Sequence, residues 1–192
     1  MEQAQENKPT VDMKKVVWIG VNVALVTLLL GAVIAYFIQI SRFTEFHDEY
    51  YKISIKYPKS WAVKRDIAGA LVTFFAPKDN ELDTFSENLN ISVQDVAPDM
   101  TLEKFSRIAA GQMEAVFEKG VEVVKSEPFV FNGFSAYNYE MRGTQFPLLT
   151  LRFVWFFKDG RAYVITYAAE TLYYDKHRGT LDSMVKSFSL GK

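Results

Sequence analysis

The stretch LLTLRFVWFFKDGRAYVITYAA, residues 148–169, decides the fold. It contains two β-rich runs, 148–157 and 162–169, joined by Lys158-Asp159-Gly160-Arg161. An Asp-Gly pair between two such runs is a strong signal for a tight hairpin turn. The first run is apolar on both faces, which a strand covered by helices on each side of a sheet explains. A partner protein over one of those faces is the alternative.

Patterns on either side of this hairpin predict the other elements. Apolar residues at helical spacing predict one helix that begins at Thr101 and ends before Gly120, and a second helix at 172–188. Alternating patterns predict further strands at 51–57, 70–76, 89–93, 121–125, and in a run from 129–131 into 134–141. The order β, α, β-meander, α therefore predicts an α+β domain with an antiparallel sheet and helices packed on it.

An uncharged apolar run of 25 residues occupies positions 16–40. About 20 helical residues suffice to cross the hydrocarbon of a bilayer, so this run predicts a transmembrane helix. Lys14 and Lys15 precede it and Arg42 follows it, which places residues 1–15 in the cytoplasm and exports the rest of the chain. A cleaved signal peptide is the alternative, but its apolar region is usually only 7–15 residues long.

Small residues form a stripe along the predicted helix. Their spacings of 4, 3, 4 and 4 put all five on one face, where another helix could approach closely. The alternative is that small residues are simply common in membrane helices. The predicted helix interface consists of Gly20, Ala24, Thr27, Gly31 and Ala35.

Composition excludes several kinds of chemistry. The 192 residues carry a net charge of −1 without a basic block, which excludes a nucleic-acid-binding surface of the usual basic kind. The absence of cysteine excludes disulfides, a thiol nucleophile and a lipoprotein acyl anchor. No G-x-S-x-G, phosphate-binding glycine loop or H-E-x-x-H motif occurs. We therefore predict no enzyme activity, catalytic residue, cofactor or metal.

Three acidic or histidine-containing clusters are candidates for a metal site. A site would need three or four converging ligands, and none of the clusters has a recognised ligand spacing. The clusters are His47 with Glu45, Asp48 and Glu49; His177 with Asp175 and Asp182; and Asp79, Glu81, Asp83 and Glu87. We interpret the first instead as part of a solvated linker, the second as an exposed helix face and the third as a soluble loop.

A series of short motifs resembles the PsbP family over residues 46–190. The motifs are ISIKYP (53–58) with Trp61, ENLNISV (87–93), GFSAYNY (133–139), YVITYAA (163–169) and Ser187-Phe188. The resemblance implies an α-β-α sandwich with a central antiparallel sheet, and binding or assembly without catalysis. PsbP itself is an extrinsic lumenal subunit that supports water oxidation, and relatives include bacterial lipoproteins, secretion chaperones and a Ran-binding import factor. A transmembrane anchor departs from the soluble plant protein, so its role does not transfer directly.

These observations together predict a single-pass protein of the cytoplasmic (inner) or thylakoid membrane. Its parts are a cytoplasmic tail (1–15), a transmembrane helix (16–40), a juxtamembrane linker (41–49) and a PsbP-like domain (50–192) in the periplasm, extracellular space or lumen. We expect a non-catalytic accessory or assembly subunit of an integral membrane protein complex, a photosynthetic or respiratory one being a candidate. The alternatives are a tethered ligand-binding protein or enzyme, which predicts a concave polar pocket, and a chaperone for exported hydrophobic segments, which predicts an exposed apolar groove.

Overall fold

The hairpin predicted at residues 148–169 is present in the computed structural model. The structure describes residues 18, 21, 22, 24–34, 42–78, 80, 81, 83, 85–117, 120–145 and 148–191. The chain divides into two units, Met1–Arg42 and Phe43–Lys192. The second unit contains β1 (Phe43–Asp48), β2 (Ile53–Pro58), β3 (Ala62–Ile67), β4 (Ala70–Phe75), β5 (Asn88–Asp95), α1 (Leu102–Val116), β6 (Val121–Phe131), β7 (Phe134–Gly143), β8 (Leu149–Lys158), β9 (Arg161–Glu170), α2 (Tyr174–Ser187) and β10 (Ser189–Leu190).

The first unit is helical wherever it is described within the predicted span, at residues 18, 21, 22 and 24–34. The remaining positions of the span 16–40 lie outside the described residues. Within the described residues, none of the helices combines the length and the hydropathy that a membrane crossing requires. The transmembrane helix therefore stays a prediction.

Seven antiparallel strands form the main sheet in the order β3-β4-β5-β9-β8-β7-β6. The β8–β9 hairpin closes at Lys158 and Arg161, with Asp159 and Gly160 at φ values of 51° and 72°. Two successive positive φ values are typical of the tight turn that matches the twist of a hairpin. The predicted α+β class with antiparallel strands is confirmed.

The prediction of one run from 129–131 into 134–141 is wrong, because these residues belong to two strands. The chain reverses at Asn132-Gly133, whose φ values are 49° and 85°, and Phe131 pairs with Phe134. Asn-Gly is itself a strong hairpin signal. The strand before this turn, β6, is continuous from residue 121 to residue 131, because an edge strand tolerates Pro128 without losing a ladder hydrogen bond.

Three strands were not predicted. Residues 43–48, which the sequence places in a linker, form β1, and β1, β2 and β10 make a separate three-stranded sheet. β3 pairs only with β4 at the edge of the main sheet, and four of its last five residues are exposed. β10 has only two residues. Edge strands and very short strands lack the buried alternating pattern that sequence periodicity detects.

A helix packs on each face of the main sheet over β8, as the apolar run 148–157 predicts. Along β8, Phe153 and Trp155 pack towards α1, in a cluster that includes Phe105. The alternate residues Val154 and Phe156 join the other core, with α2 and the small sheet. The layers are therefore α1, the seven-stranded sheet, and α2 beside the small sheet.

Candidate functional site

The predicted helix interface is only partly described. Ala24, Thr27 and Gly31 are helical and exposed, whereas Gly20 and Ala35 lie outside the described residues. A Cβ atom added at Gly31 would meet nothing within 4 Å. Open space at Gly31 is compatible with the approach of another helix, but a role for the stripe remains a prediction.

The cluster around His47 does not converge on a metal-sized site. The His47 ring uses Nδ1 in a 2.6 Å hydrogen bond with Ser54 and places Nε2 3.3 Å from Glu45. Asp48 instead accepts from Arg65 at 2.9 Å and is buried. Among the described residues, no group of three or more potential ligands is arranged to hold a metal.

His177 does not lie on the exposed helix face that the sequence predicts. Its ring packs edge-on against Trp61, with the ring centroids 6.2 Å apart. Its Nε2 atom is buried and finds no hydrogen-bond partner among the described residues. Asp182, weighed as its companion, instead accepts a 2.8 Å hydrogen bond from Arg152.

The acidic loop is also different from its predicted form. Glu87 is only 2% exposed, so it does not serve to keep the loop soluble. Asp83 accepts a hydrogen bond from the backbone N–H of Phe85, and Asp79 lies outside the described residues. A buried carboxylate was not predicted, because the register that carries Glu87 into the sheet depends on the pairing of β5.

At the start of α2, the buried Tyr174 packs against the buried Tyr167 of β9, and the buried carboxylate of Glu87 lies close enough to act on Tyr167. The two tyrosine rings are 5.6 Å apart. Burial, reinforced by the charge of Glu87, raises the pKa of Tyr167. Burial and the neighbouring Glu140 carboxylate raise the pKa of Tyr174. Both phenols are therefore held in the neutral form at physiological pH and do not act as bases there.

Tyr139, on the other face of the sheet, also has a raised pKa. Burial, with the charge of Glu114, raises the pKa of Tyr139 to about 12. The Tyr139 hydroxyl donates to the Glu114 carboxylate over 3.3 Å. This shift reflects packing under α1 and places no reactive group at the surface.

In the part of the chain that the structure describes, α1 covers only one half of the sheet face on its side. This difference in cover is visible along one row of residues that pair across six strands. The side chains in the row are polar at the open end and aromatic where α1 covers the sheet. Across β3, β4, β5, β9, β8 and β7 the row reads Lys64, Thr73, Asn90, Thr166, Phe153 and Tyr139.

Among the described residues, the half of this face that α1 leaves open carries short polar groups on three adjacent strands, with Leu71 and Phe75 of β4 on the same side. We call it the polar sheet face. Asn88, Asn90 and Ser92 of β5 and Thr166 of β9 are partly exposed, and Thr73 of β4 is buried among them. Amides and hydroxyls can both donate and accept hydrogen bonds, so this surface suits a polar partner.

One end of the polar sheet face opens into a cleft of about 480 Å³. Phe75, Phe85 and Asn88 line it, together with Lys64, whose ammonium lies 5.6 Å from the centre of the Phe75 ring. The cleft is shallow, and its lining includes two aromatic rings, an amide and a cation.

Sequence reasoning missed both features, although part of the signal was present. Leu89, Ile91 and Val93 alternate with Asn88, Asn90 and Ser92, so the polar side of β5 is visible in the sequence. What remains hidden is that α1 fails to cover this side, because helix position depends on tertiary packing.

Comparison with known proteins identifies the domain. A PsbP family model matches residues 41–190. None of the curated proteins matches the sequence significantly. The structure resembles cyanobacterial PsbP (CyanoP) from Synechocystis sp. PCC 6803, with a TM-score of 0.61 and 16% identity, over 78% of this chain and 93% of that one.

Two further solved structures share the fold. LpqN, involved in cell envelope biogenesis of Mycobacterium tuberculosis, has a TM-score of 0.57 and 12% identity, over 78% of this chain and 91% of its own. The protein Mog1 has a TM-score of 0.53 and 10% identity, over 77% of this chain and 95% of its own. At these identities the likenesses show the fold alone.

Proposed function

Because the chain belongs to the PsbP family over residues 41–190, we propose that it is a membrane-anchored accessory protein that binds a partner protein. In this proposal residues 16–40 are the transmembrane helix and the domain that follows is exported. The uncharged apolar run and the lysines before it support that arrangement. The partner is a subunit of an integral membrane complex.

The observation that carries this proposal is the polar sheet face. It spans three hydrogen-bonded strands, and Asn90 lies at its centre between Thr73 and Thr166. Small ligands are usually held in concave pockets, whereas a protein partner can be bound across the surface of a sheet. A chaperone for hydrophobic segments needs an apolar groove, and this face offers amides and hydroxyls instead.

A non-catalytic role fits the electrostatics of the domain. The groups whose pKa values shift strongly among the described residues are buried tyrosines, which the fold holds neutral. An active site usually brings shifted carboxyl, imidazole or amine groups to a cleft. The cleft beside Lys64 and Asn88 supports a second candidate, a tethered binder of small ligands with an aromatic and a polar part.

The test is co-purification of the tagged full chain from membranes in gentle detergent, with quantitative identification of associated proteins. Asn90→Arg puts a long cation in the middle of the polar sheet face and should reduce partner recovery at least about tenfold, a loss of about 1.4 kcal/mol. Gln112→Arg makes the same charge change on the exposed side of α1 and should leave recovery unchanged. Equal recovery with both variants would contradict partner binding by this face.

The same experiment tests the helix stripe with a second pair of variants. Gly31→Leu adds bulk to the stripe and should lower partner recovery if the stripe is an interface. Val33→Phe adds bulk about 200° away around the helix, and serves as the control. If neither variant changes recovery while Asn90→Arg does, the domain binds the partner and the helix is only a tether.

A further inference from the structure

The chain enters the domain at the same end as the start of α2. Phe43, the first residue of β1, pairs with Pro58 of β2. The Pro58 carbonyl accepts a 2.9 Å hydrogen bond from the N–H of Trp61, and the Trp61 ring contacts His177 in the first turn of α2. We call this end of the domain the proximal end.

Two exposed leucines lie together at the proximal end. Leu172, in the turn between β9 and α2, is 83% exposed, and Leu148, just before β8, is 51% exposed. They are neighbours, because the N–H of Thr171 donates to the carbonyl of Leu148 at 2.8 Å. A single exposed leucine needs no explanation, but an adjacent pair at one end indicates a contact.

Two cations and an aromatic ring lie at the same end of the domain as the leucines. The Lys176 ammonium lies 6.0 Å from the centre of the Tyr173 ring, next to Leu172 in sequence. Lys59 is exposed in the turn that follows Pro58. Leucine, tyrosine and lysine together are typical of protein segments at the depth of lipid headgroups, where long cations reach phosphates and apolar side chains enter the acyl boundary.

Chain length limits how far the proximal end can be from the bilayer. The predicted span ends at residue 40, and β1 begins at Phe43. Three residues of extended chain reach at most about 11 Å. The headgroup region on each side of the hydrocarbon is about 5–8 Å thick, so the proposed anchor would keep the first residues of β1 close to the membrane surface.

We propose that the proximal end rests on the lipid bilayer, with Leu172 and Leu148 inserted at the headgroup–acyl boundary and Lys59 and Lys176 facing lipid phosphates. The inference rests on the proposed anchor.

The absence of cysteine allows a direct test with single-cysteine variants of the full chain. Leu172→Cys and Leu148→Cys would carry an environment-sensitive fluorophore in vesicles of phosphatidylcholine and phosphatidylglycerol, without any partner. Val130→Cys is the matched control, because Val130 is 75% exposed and lies near the far end, beside the Asn132-Gly133 turn. Exposed positions tolerate the substitution without loss of packing.

The expected result is blue-shifted emission and quenching by shallow spin-labelled lipids at residues 172 and 148, with water-like emission at residue 130. Raising the fraction of phosphatidylglycerol in the vesicles should increase quenching at residue 172, and the double variant Lys59→Gln, Lys176→Gln should remove that increase. Water-like emission at all three positions in vesicle-bound protein would overturn the contact and leave the anchor intact. A chain that fails to float with vesicles would overturn the anchor and, with it, this inference. Protection only after partner is added would assign the leucines to a protein contact instead.

Discussion

Trp155 is the largest side chain in the fully buried core, and its polar atom has one specific partner. The indole N–H donates to the Ser106 hydroxyl at 2.8 Å, and that hydroxyl donates to the Leu102 carbonyl at 2.7 Å. This short chain of hydrogen bonds joins β8 to α1. It explains why a serine is buried in an otherwise apolar helix face, since an unpaired indole N–H would be costly to bury.

Ser106→Ala should lower the free energy of unfolding by about 1–3 kcal/mol, because it leaves the Trp155 N–H without an acceptor. The measurement is urea unfolding of the full chain in mild detergent, followed by near-ultraviolet circular dichroism. Ser183→Ala is the control, since Ser183 makes the same kind of bond to the carbonyl four residues earlier, at 2.8 Å, on an exposed side of α2. Equal effects of the two substitutions would contradict the role given to Ser106.

Individual residues were the hardest to predict from sequence. His177 and Glu87 both read as exposed, because histidine and glutamate are rarely buried without partners. Glu87 and the Nε2 atom of His177 are nevertheless buried by tertiary packing, which no local pattern encodes. Asn90 was visible on the polar side of its strand, but its value as a binding residue depends on α1 leaving that side open.

At the scale of elements, Gly133 and Gly111 differ in backbone conformation, since one lies in a tight turn and the other in a helix. Gly133 ends the tight turn between β6 and β7 with φ at 85°, a conformation that a side chain disfavours. Gly111 lies within α1, and a Cβ atom there would meet nothing within 4 Å. The same substitution should therefore have opposite effects at the two positions.

Gly133→Ala should destabilise the domain by about 1–2 kcal/mol, the cost of a left-handed conformation for an L-residue. Gly111→Ala should stabilise it by about 0.5–1 kcal/mol, because alanine loses less backbone entropy in a helix. Thermal unfolding of the two variants beside the unchanged chain measures both. The same sign at both positions would show that the turn or the helix differs from the structure.

Most elements with one buried face were predictable. The β8–β9 hairpin carries both an Asp-Gly turn and continuous apolar strands, and α1 and α2 show apolar residues at helical spacing. β1 and β3 escaped prediction because each has only one neighbour and a mostly solvated surface. The Asn132-Gly133 turn was missed because the apolar residues before and after it read as one strand.

At the scale of the whole molecule, the two faces of the main sheet have different roles. One face is closed by α2 and the small sheet, and it holds most of the core. The other face is closed by α1 over β7 and β8 and open over β4 and β5. The sequence predicts the layers, but the opening that makes a surface available for binding follows only from where the helix packs.

The membrane location of the partner and the contact with the bilayer both depend on the anchor. The decisive measurement uses single-cysteine variants of the full chain in spheroplasts, at Val130 in the domain and Gln3 in the tail, with a membrane-impermeant thiol reagent. We predict that Val130→Cys is labelled in intact spheroplasts, that Gln3→Cys is labelled only after lysis, and that the chain stays in membranes after an alkaline carbonate wash. Release by carbonate, or labelling of Val130→Cys only after lysis, would contradict the account.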